Sequence, residues 1–385
     1  MTCRLVAAVV LAAFGLSACQ AAPAGQPAEI PTSRADILVE KPGSEPVATY
    51  AGTPVYYACA VLTKDVVTAA GLKYVDRATV GGTRLSPGGD RPELAGTTYE
   101  PISCGVRVQR PAGRGGSDPE LVLATLNVKL SSDFAWRSAA LPRSGTVATA
   151  HGVRYARLAG KGDDEVTVAF DDGGHGGANA FTLTVRTFSA MTGGETALAK
   201  LVDGITRNIA AGPRSMPERS YPEPYNLVAR PCDALPPEVF TAVTALPTDG
   251  LQKEIFGEGE NFGVLRNAIQ ITCSRMSLLD RIRRDSASLT VEQTIYAEGP
   301  AIAADMTRQL CDYMATKGMG GPLAQPVGDV SCGMPGEHVT GGATVYFHLG
   351  RTVVRVSLNA DTITGQPAVA KVAEGAQRIH RLLDR

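Results

Sequence analysis

The chain is poor in the residue types that most often carry catalysis or recognition. Aromatic residues make up 5% of its 385 residues, only one of them is a tryptophan, and there are five histidines. The charges nearly cancel, because 37 Lys+Arg face 38 Asp+Glu. This balance argues against a nucleic-acid-binding protein, which needs a basic surplus to neutralise phosphates. The hydrophobic fraction of 44% is high enough to build packed cores, so global disorder is excluded.

Recognisable catalytic and cofactor motifs are also missing from the sequence. There is no G-x-S-x-G elbow and no S-x-x-K, so the usual serine nucleophiles of α/β-hydrolases and penicillin-binding proteins are not found. No C-x-x-C pair occurs, which argues against a cysteine-ligated metal. The glycine-rich stretch around His175 could hold a cation, but it is more typical of a hairpin loop. The sequence therefore predicts no catalytic residue, no metal site and no cofactor, and it favours a protein that is not an enzyme.

The N-terminus has the pattern of an export signal. After Arg4, residues 5–16 form an apolar run of twelve residues, shorter than the ~20 that span a bilayer. The run ends in Leu16-Ser17-Ala18-Cys19, which resembles the lipobox of bacterial lipoproteins. The resemblance implies that residues 1–18 are a cleaved signal peptide and that Cys19 carries a diacyl or triacyl (palmitate-type) anchor. Such an anchor meets the need for two or more chains in stable membrane binding.

The rest of the chain divides into a tether and two repeats. Residues 19–49 are rich in Ala, Pro, Gly, Glu and Ser without a helix or strand period, which predicts a disordered tether. The sequence of residues 50–211 recurs in residues 225–385, and the polar, proline-rich residues 212–224 read as the linker. Each copy opens with a cysteine just before a helix start and ends in an amphipathic helix.

The order of elements in each copy predicts the fold class. Both copies have a helix, strands, a middle helix, more strands and a final helix. Runs of strands flanked by helices are typical of α+β folds with antiparallel sheets. We therefore expect two tandem duplicated α+β domains, each an antiparallel sheet flanked by helices.

The repeat also favours one pairing of the six cysteines that follow Cys19. Six cysteines allow many pairings in an oxidising compartment. Because Cys104 and Cys273 occupy corresponding positions, symmetry favours Cys59–Cys104 and Cys232–Cys273. Cys311–Cys332 then remains as a disulfide special to the second copy.

The opening motif carries a family resemblance. Cys59 begins the pattern Cys-x-x-Leu-Thr-x-x-Val, and a second cysteine follows some forty residues later. Together with the lipobox and the alanine-rich spacer, this pattern resembles actinobacterial lipoproteins of unknown function. The resemblance implies an envelope lipoprotein whose domains are similar to photosystem-P-protein or Mog1-type folds, and it brings no catalytic residue with it.

Basic residues follow the second cysteine of each copy, and the sequence places them in loops. A polybasic surface gains ~1 kcal/mol per charge near anionic headgroups, so these residues are candidates for contact with an anionic membrane or cell-wall polymer. The alternative is that they only keep an apolar loop soluble. The candidates are Arg107, Arg110, Arg114, Arg275, Arg281, Arg283 and Arg284.

These observations predict a lipid-anchored protein on the extracytoplasmic face of the cell membrane of a bacterium. Its expected role is binding or accessory, and its expected partners are the membrane through the lipid and an envelope protein, lipid or glycan. Two alternatives stay open. One is an extracytoplasmic envelope hydrolase with an unrecognised active site, and the other is a purely structural factor in envelope assembly.

Overall fold

The computed structural model describes most of the chain after the predicted tether. The described residues are 37–50, 53–74, 80–85, 102–109, 121–130, 146–158, 164–174, 179–186, 193–226, 229–258, 267–277, 286–336, 342–360 and 363–385. All of them belong to one compact unit, Thr32–Arg385. The signal peptide, Cys19, His175 and five of the candidate arginines (Arg110, Arg114, Arg281, Arg283 and Arg284) lie outside the described residues.

Six helices occur in the part of the chain that the structure describes. They are α1 (Ala58–Val61), α2 (Lys64–Ala69), α3 (Gly194–Ala210), α4 (Pro237–Thr244), α5 (Pro300–Thr316) and α6 (Gly365–Leu383). The side chain of Thr63 caps α2 by accepting a hydrogen bond from the backbone N–H of Val66 at 3.3 Å. Helix α4 begins with Pro237, which suits the first helical turn. The predicted stripes on α3 and α6 are buried.

Nineteen strands occur among the same residues. The strands of the first half are β1 (Val39–Lys41), β2 (Thr49–Tyr50), β3 (Thr53–Pro54), β4 (Lys73–Tyr74), β5 (Val80–Leu85), β6 (Ile102–Gln109), β7 (Leu121–Leu130), β8 (Ala148–Ala150), β9 (Val153–Leu158), β10 (Glu165–Phe170) and β11 (Asn179–Arg186). They are followed by β12 (Glu218–Ser220), β13 (Leu251–Glu258), β14 (Ala268–Met276), β15 (Ala287–Tyr296), β16 (Gly321–Pro322), β17 (Ser331–Pro335), β18 (Ala343–Leu349) and β19 (Thr352–Ala360).

One large antiparallel sheet dominates this mixed α+β structure. Its strand order is β16-β17-β18-β19-β15-β14-β13-β5-β6-β7-β11-β10-β9-β8, and β4 pairs with β6. Strands β1 and β12 form a separate two-stranded ribbon, as do β2 and β3. The sheet thus runs without a break through residues of both predicted copies.

The centre of the sheet is the antiparallel pair β5–β13, which we call the seam. Across the seam Gly82 faces Glu254. On its other side Gly82 faces Cys104, and Glu254 likewise faces Cys273. From the seam outward, the first half has β5, β6, β7 and then β11, and the second half has β13, β14, β15 and then β19. In each half the first three strands follow chain order, and the fourth is the last strand of that half in the sequence.

The two faces of the sheet differ in polarity, as alternating strand residues require. In the first half α1, α2 and α3 pack on the apolar face, where Val106, Leu126 and Leu183 are buried. In the second half α4 and α6 cover the corresponding apolar residues. Helix α5 lies on the opposite face against Tyr296 and Val353, and a counterpart in the first half would fall in residues 131–145, outside the described residues.

Three disulfides occur among the described residues, and they join the pairs that the predicted repeat favours. Cys59 is bonded to Cys104 and Cys232 to Cys273, so each links the start of a half to the second strand of that half. The third disulfide, Cys311–Cys332, ties α5 to β17.

The predicted tether is too long at its C-terminal end. From residue 37 onward the chain packs onto the fold, because β1 pairs with β12 and the side chain of Leu38 is 2% exposed. The partner strand belongs to residues 212–224, which were predicted to be a linker and in which Met216 and Arg219 are buried. Composition alone cannot show this pairing, because the two strands are about 180 residues apart in sequence.

Candidate functional site

A cleft of about 660 Å³ lies beside α3 in the first half. Ligand sites typically enclose ~300–1,000 Å³, so its size suits a small molecule. Four segments form its walls, namely β1 with the chain after it, helices α1 and α2, the middle of α3, and the chain between α3 and β12. Its lining residues are Glu40, Lys41, Pro42, Gly43, Ala60, Thr63, Asp65, Val66, Ala69, Lys200, Asp203, Gly204, Arg207, Asn208, Arg214, Ser215 and Pro217.

Small apolar residues form part of the cleft where α2 and α3 meet. Ala60, Val66 and Ala69 contribute from the first two helices, and Gly204 contributes from α3. A Cβ atom on Gly204 would lie 2.9 Å from Cγ1 of Val66, so glycine permits this close approach of the helices. The amide of Asn208 donates a hydrogen bond to the Val61 carbonyl at 2.9 Å and holds α3 to the end of α1.

Glu40 is fully engaged with protein groups. One carboxylate oxygen accepts from the backbone N–H of Lys64, at the N-terminus of α2, at 2.9 Å. The other accepts from Nε of Arg219 at 2.9 Å. The Arg219 side chain is 0% exposed, and its two terminal nitrogens have no hydrogen-bond partner among the described residues. Glu40 is therefore the counterion of a buried arginine and also a helix cap.

Asp203, a second carboxylate of the cleft, is held in the same way. One oxygen lies 2.8 Å from Nε2 of His151, and the other lies 2.5 Å from Nη2 of Arg207. The hydrogen bond from His151, together with the charge of Arg207, lowers the pKa of Asp203. His151 adopts a left-handed φ of 52° in the turn between β8 and β9, which brings its ring to α3.

Fewer of the cations than of the carboxylates at the cleft form ion pairs among the described residues. Lys200 and Arg214 are exposed lining residues, and neither forms an ion pair within the described ranges. Lys41 is also exposed. The pKa of Glu218 is lowered mainly by hydrogen bonds from Ser44, and the charge of Lys41 adds to this effect. Asp65, in the first turn of α2, is the lining carboxylate for which no ion pair is found in that part of the chain. The uncommitted charge is therefore mainly positive.

Among the residues that the structure describes, the histidine–aspartate pair has no nucleophile beside it. Within the described residues no serine, threonine or cysteine shares a hydrogen bond with His151. The same residues contain no group of three or more His, Cys, Asp and Glu that could hold a metal ion. The arrangement can orient and bind a ligand, but it does not assemble an activated nucleophile.

A second cavity, of about 420 Å³, lies at the C-terminal end of α6. Its residues come from the β18–β19 turn, the first residue of α5 and the end of the chain. They are Pro300, Leu349, Gly350, Arg351, Leu383, Asp384 and Arg385. This cavity does not correspond in position to the cleft beside α3.

Of the candidate arginines, the structure describes two, and both lie on strands and not in the predicted loops. Arg107 lies on β6, not in a loop, and is exposed. Arg275 lies on β14, is 2% exposed, and donates a hydrogen bond from Nε to the Leu235 carbonyl. Strand alternation turns it to the helix-covered face, where it supports the turn before α4 and cannot contact a membrane or polymer.

The sequence did not point to the polar groups buried near the seam. Arg230 makes a two-point ion pair with Glu254, with distances of 3.1 and 2.5 Å, and Arg84 contacts Glu45 at 2.8 Å. Gln252 donates to the Cys232 carbonyl at 3.1 Å. The partners are at least 20 residues apart, so no local motif marks them.

Neither the helices nor the comparisons with known proteins identify a family for this chain. No described helix combines the length and the hydropathy needed to cross a membrane. No protein-family model, curated protein or solved structure matches this chain.

Proposed function

We propose that this protein is a lipid-anchored binding protein of the bacterial cell envelope, attached through an acylated Cys19, and that the cleft beside α3 is its ligand site. The observation that carries the proposal is the cleft itself. It has the volume of a ligand site, small apolar residues, and carboxylates held in place by the protein. The lipobox and the disulfides support an exported protein.

The wall of the cleft supports a link between the anchor and the site. The cleft is lined by residues 40–43, which lie within the segment that was predicted to be a tether. A protein held at Cys19 would therefore keep the cleft within about twenty residues of chain from the membrane. On this proposal the ligand is a molecule of the envelope.

We also propose that the two halves are copies of one duplicated unit, each similar to photosystem-P-protein or Mog1-type domains. The matching strand order about the seam supports this. So do two glycines at matching positions of the final helices. Gly204 of α3 packs on Val66, and Gly375 of α6 packs on Val243 of α4.

Filling the cleft tests the proposed function. Ala69 is an exposed cleft residue, so Ala69→Trp would occupy the space without disturbing the core. We expect wild-type protein, isolated from its own envelope, to carry a co-purifying small molecule in native mass spectrometry, and we expect Ala69→Trp to lose it.

Ala199→Trp is the matched control, because Ala199 is exposed on α3 but does not line the cleft. It should retain the ligand. If wild type and Ala69→Trp carry the same molecules in the same amounts, the cleft is not the ligand site.

A further inference from the structure

We infer that the cleft beside α3 binds an anionic amphiphile, a molecule in which a phosphate or carboxylate head is joined to a short apolar part. This inference rests on the proposed binding function of the cleft and adds the chemical class of the ligand. It is carried by the charges that remain available at the cleft and by its apolar residues.

Two of the three carboxylates that line the cleft cannot easily serve a cationic ligand, and the third, Asp65, is outnumbered by the exposed cations Lys41, Lys200 and Arg214. Both oxygens of Glu40 are occupied, by the Lys64 backbone and by Arg219. Both oxygens of Asp203 are occupied, by His151 and Arg207. Drawing Glu40 to a ligand would leave the buried Arg219 without its counterion, which is strongly unfavourable.

The cations, in contrast, are free to meet an anion. Lys200 and Arg214 are exposed and form no ion pair within the described residues. Lys200 lies on α3 and supplies its charge from that wall of the cleft. Arg214 comes from the chain after the helix and adds a charge from another wall. An anionic head can thus be approached from more than one side.

The apolar part of the ligand is inferred from the apolar residues that line the cleft. Ala60, Val66 and Ala69 contribute methyl groups, and no hydrogen-bonding side chain, to the cleft. A free inorganic anion would leave this surface hydrated, whereas an apolar group would cover it. A purely apolar ligand would displace water from the cations without giving them a hydrogen-bond acceptor or a counterion. A molecule with both parts satisfies both sets of groups.

The experiment uses the full acylated chain in nanodiscs of zwitterionic phosphatidylcholine, with binding measured by titration calorimetry. Three soluble probes separate the requirements, namely octyl phosphate, inorganic phosphate and octyl glucoside. We expect octyl phosphate to bind at least about tenfold more tightly than either of the others, because only it has both parts. Nanodiscs containing phosphatidylglycerol distinguish the sources of the anion. If they compete with octyl phosphate, the ligand is a lipid headgroup, and if they do not, it is a soluble organic anion.

Variants identify the groups that bind the head. Lys200→Gln and Arg214→Gln should each weaken octyl phosphate binding by about fivefold, as expected for partly exposed charge pairs. Lys371→Gln is the matched control, because Lys371 is exposed at the corresponding position of α6 and lines neither described cavity. It should bind like wild type.

The outcomes separate the two proposals. If octyl glucoside binds as tightly as octyl phosphate and Ala69→Trp abolishes its binding, the cleft is a site for neutral ligands. The anionic class is then overturned, and the proposed function stands. If Lys200→Gln and Arg214→Gln bind octyl phosphate like wild type, the anionic class is overturned as well. If octyl phosphate binds Ala69→Trp like wild type, its site is elsewhere and the anionic class is overturned, whereas the proposed function fails only if Ala69→Trp also keeps the co-purifying molecule.

Discussion

Glu40 shows how much of this structure depends on single long-range contacts. It lies in a segment whose composition is typical of a tether, yet its carboxylate joins the start of α2 to a fully buried arginine. Burying an arginine is costly unless a counterion accompanies it. The contact therefore stabilises the ribbon of β1 and β12 and one wall of the cleft together.

We predict that Glu40→Gln lowers the free energy of unfolding by about 3 kcal/mol, because it leaves Arg219 buried without a countercharge. Urea denaturation measures the change. In the double variant Glu40→Gln with Arg219→Met, the unpaired charge is removed, so much of the loss should be recovered. A double variant that is less stable than Glu40→Gln would contradict this explanation.

At the scale of the elements, the helix pairs are positioned by close contact between a glycine and a valine. An interior helical glycine normally costs up to ~1 kcal/mol relative to alanine. The final helices α3 and α6 nonetheless each have an interior glycine, at the point where α2 packs on α3 and where α4 packs on α6. A Cβ on Gly375 would lie 2.4 Å from Cγ2 of Val243, and one on Gly204 would lie 2.9 Å from Cγ1 of Val66.

We predict that Gly204→Ala and Gly375→Ala destabilise the protein by about 1–3 kcal/mol, against the ordinary helix preference, because the added methyl overpacks the helix contact. Thermal unfolding provides the measurement. Thr196→Ala, on the exposed surface of α3, should change stability by less than about 0.5 kcal/mol.

Shortening the facing valine should restore part of the stability that the added methyl group removes. Val66→Ala combined with Gly204→Ala should be more stable than Gly204→Ala alone, because the space returns. If Gly204→Ala instead raises the melting temperature, the close approach of α2 and α3 does not depend on glycine.

At the scale of the whole molecule, the two predicted copies share one sheet. They meet at the seam, where Gly82 faces Glu254 and where Arg230 neutralises the buried Glu254 carboxylate. The ribbon of β1 and β12 comes from the two segments predicted to be tether and linker. The chain that would lead to the membrane is thus joined to the chain that connects the halves.

We predict that Cys19→Ala releases the protein from the membrane and abolishes labelling by an alkyne fatty acid, because no acyl chain can then be attached. Fractionation of the producing bacterium and in-gel fluorescence measure the two effects. Cys3→Ala is the matched control, because Cys3 lies in the predicted signal peptide and would be removed with it. A Cys19→Ala protein that stays membrane-bound and labelled would show that the anchor is elsewhere.

The helices and strands could largely be predicted from the sequence, because they follow local patterns. The stripes of α3 and α6 have a helical period, and the strands before them alternate. The cysteine pairs followed from the predicted repeat, since corresponding positions in two similar sequences would imply similar contacts. These properties depend on residues that are near in sequence or related by the repeat.

Only the tertiary structure decided which groups are free at a site. Arg275 and Arg107 look alike in sequence, but strand alternation buries one and exposes the other. The cleft draws on four segments between residues 40 and 217, and the charge that it offers depends on ion pairs between them. The sequence alone determined the elements because their patterns are local, whereas the single sheet and the cleft depend on contacts between distant residues, which no local pattern records.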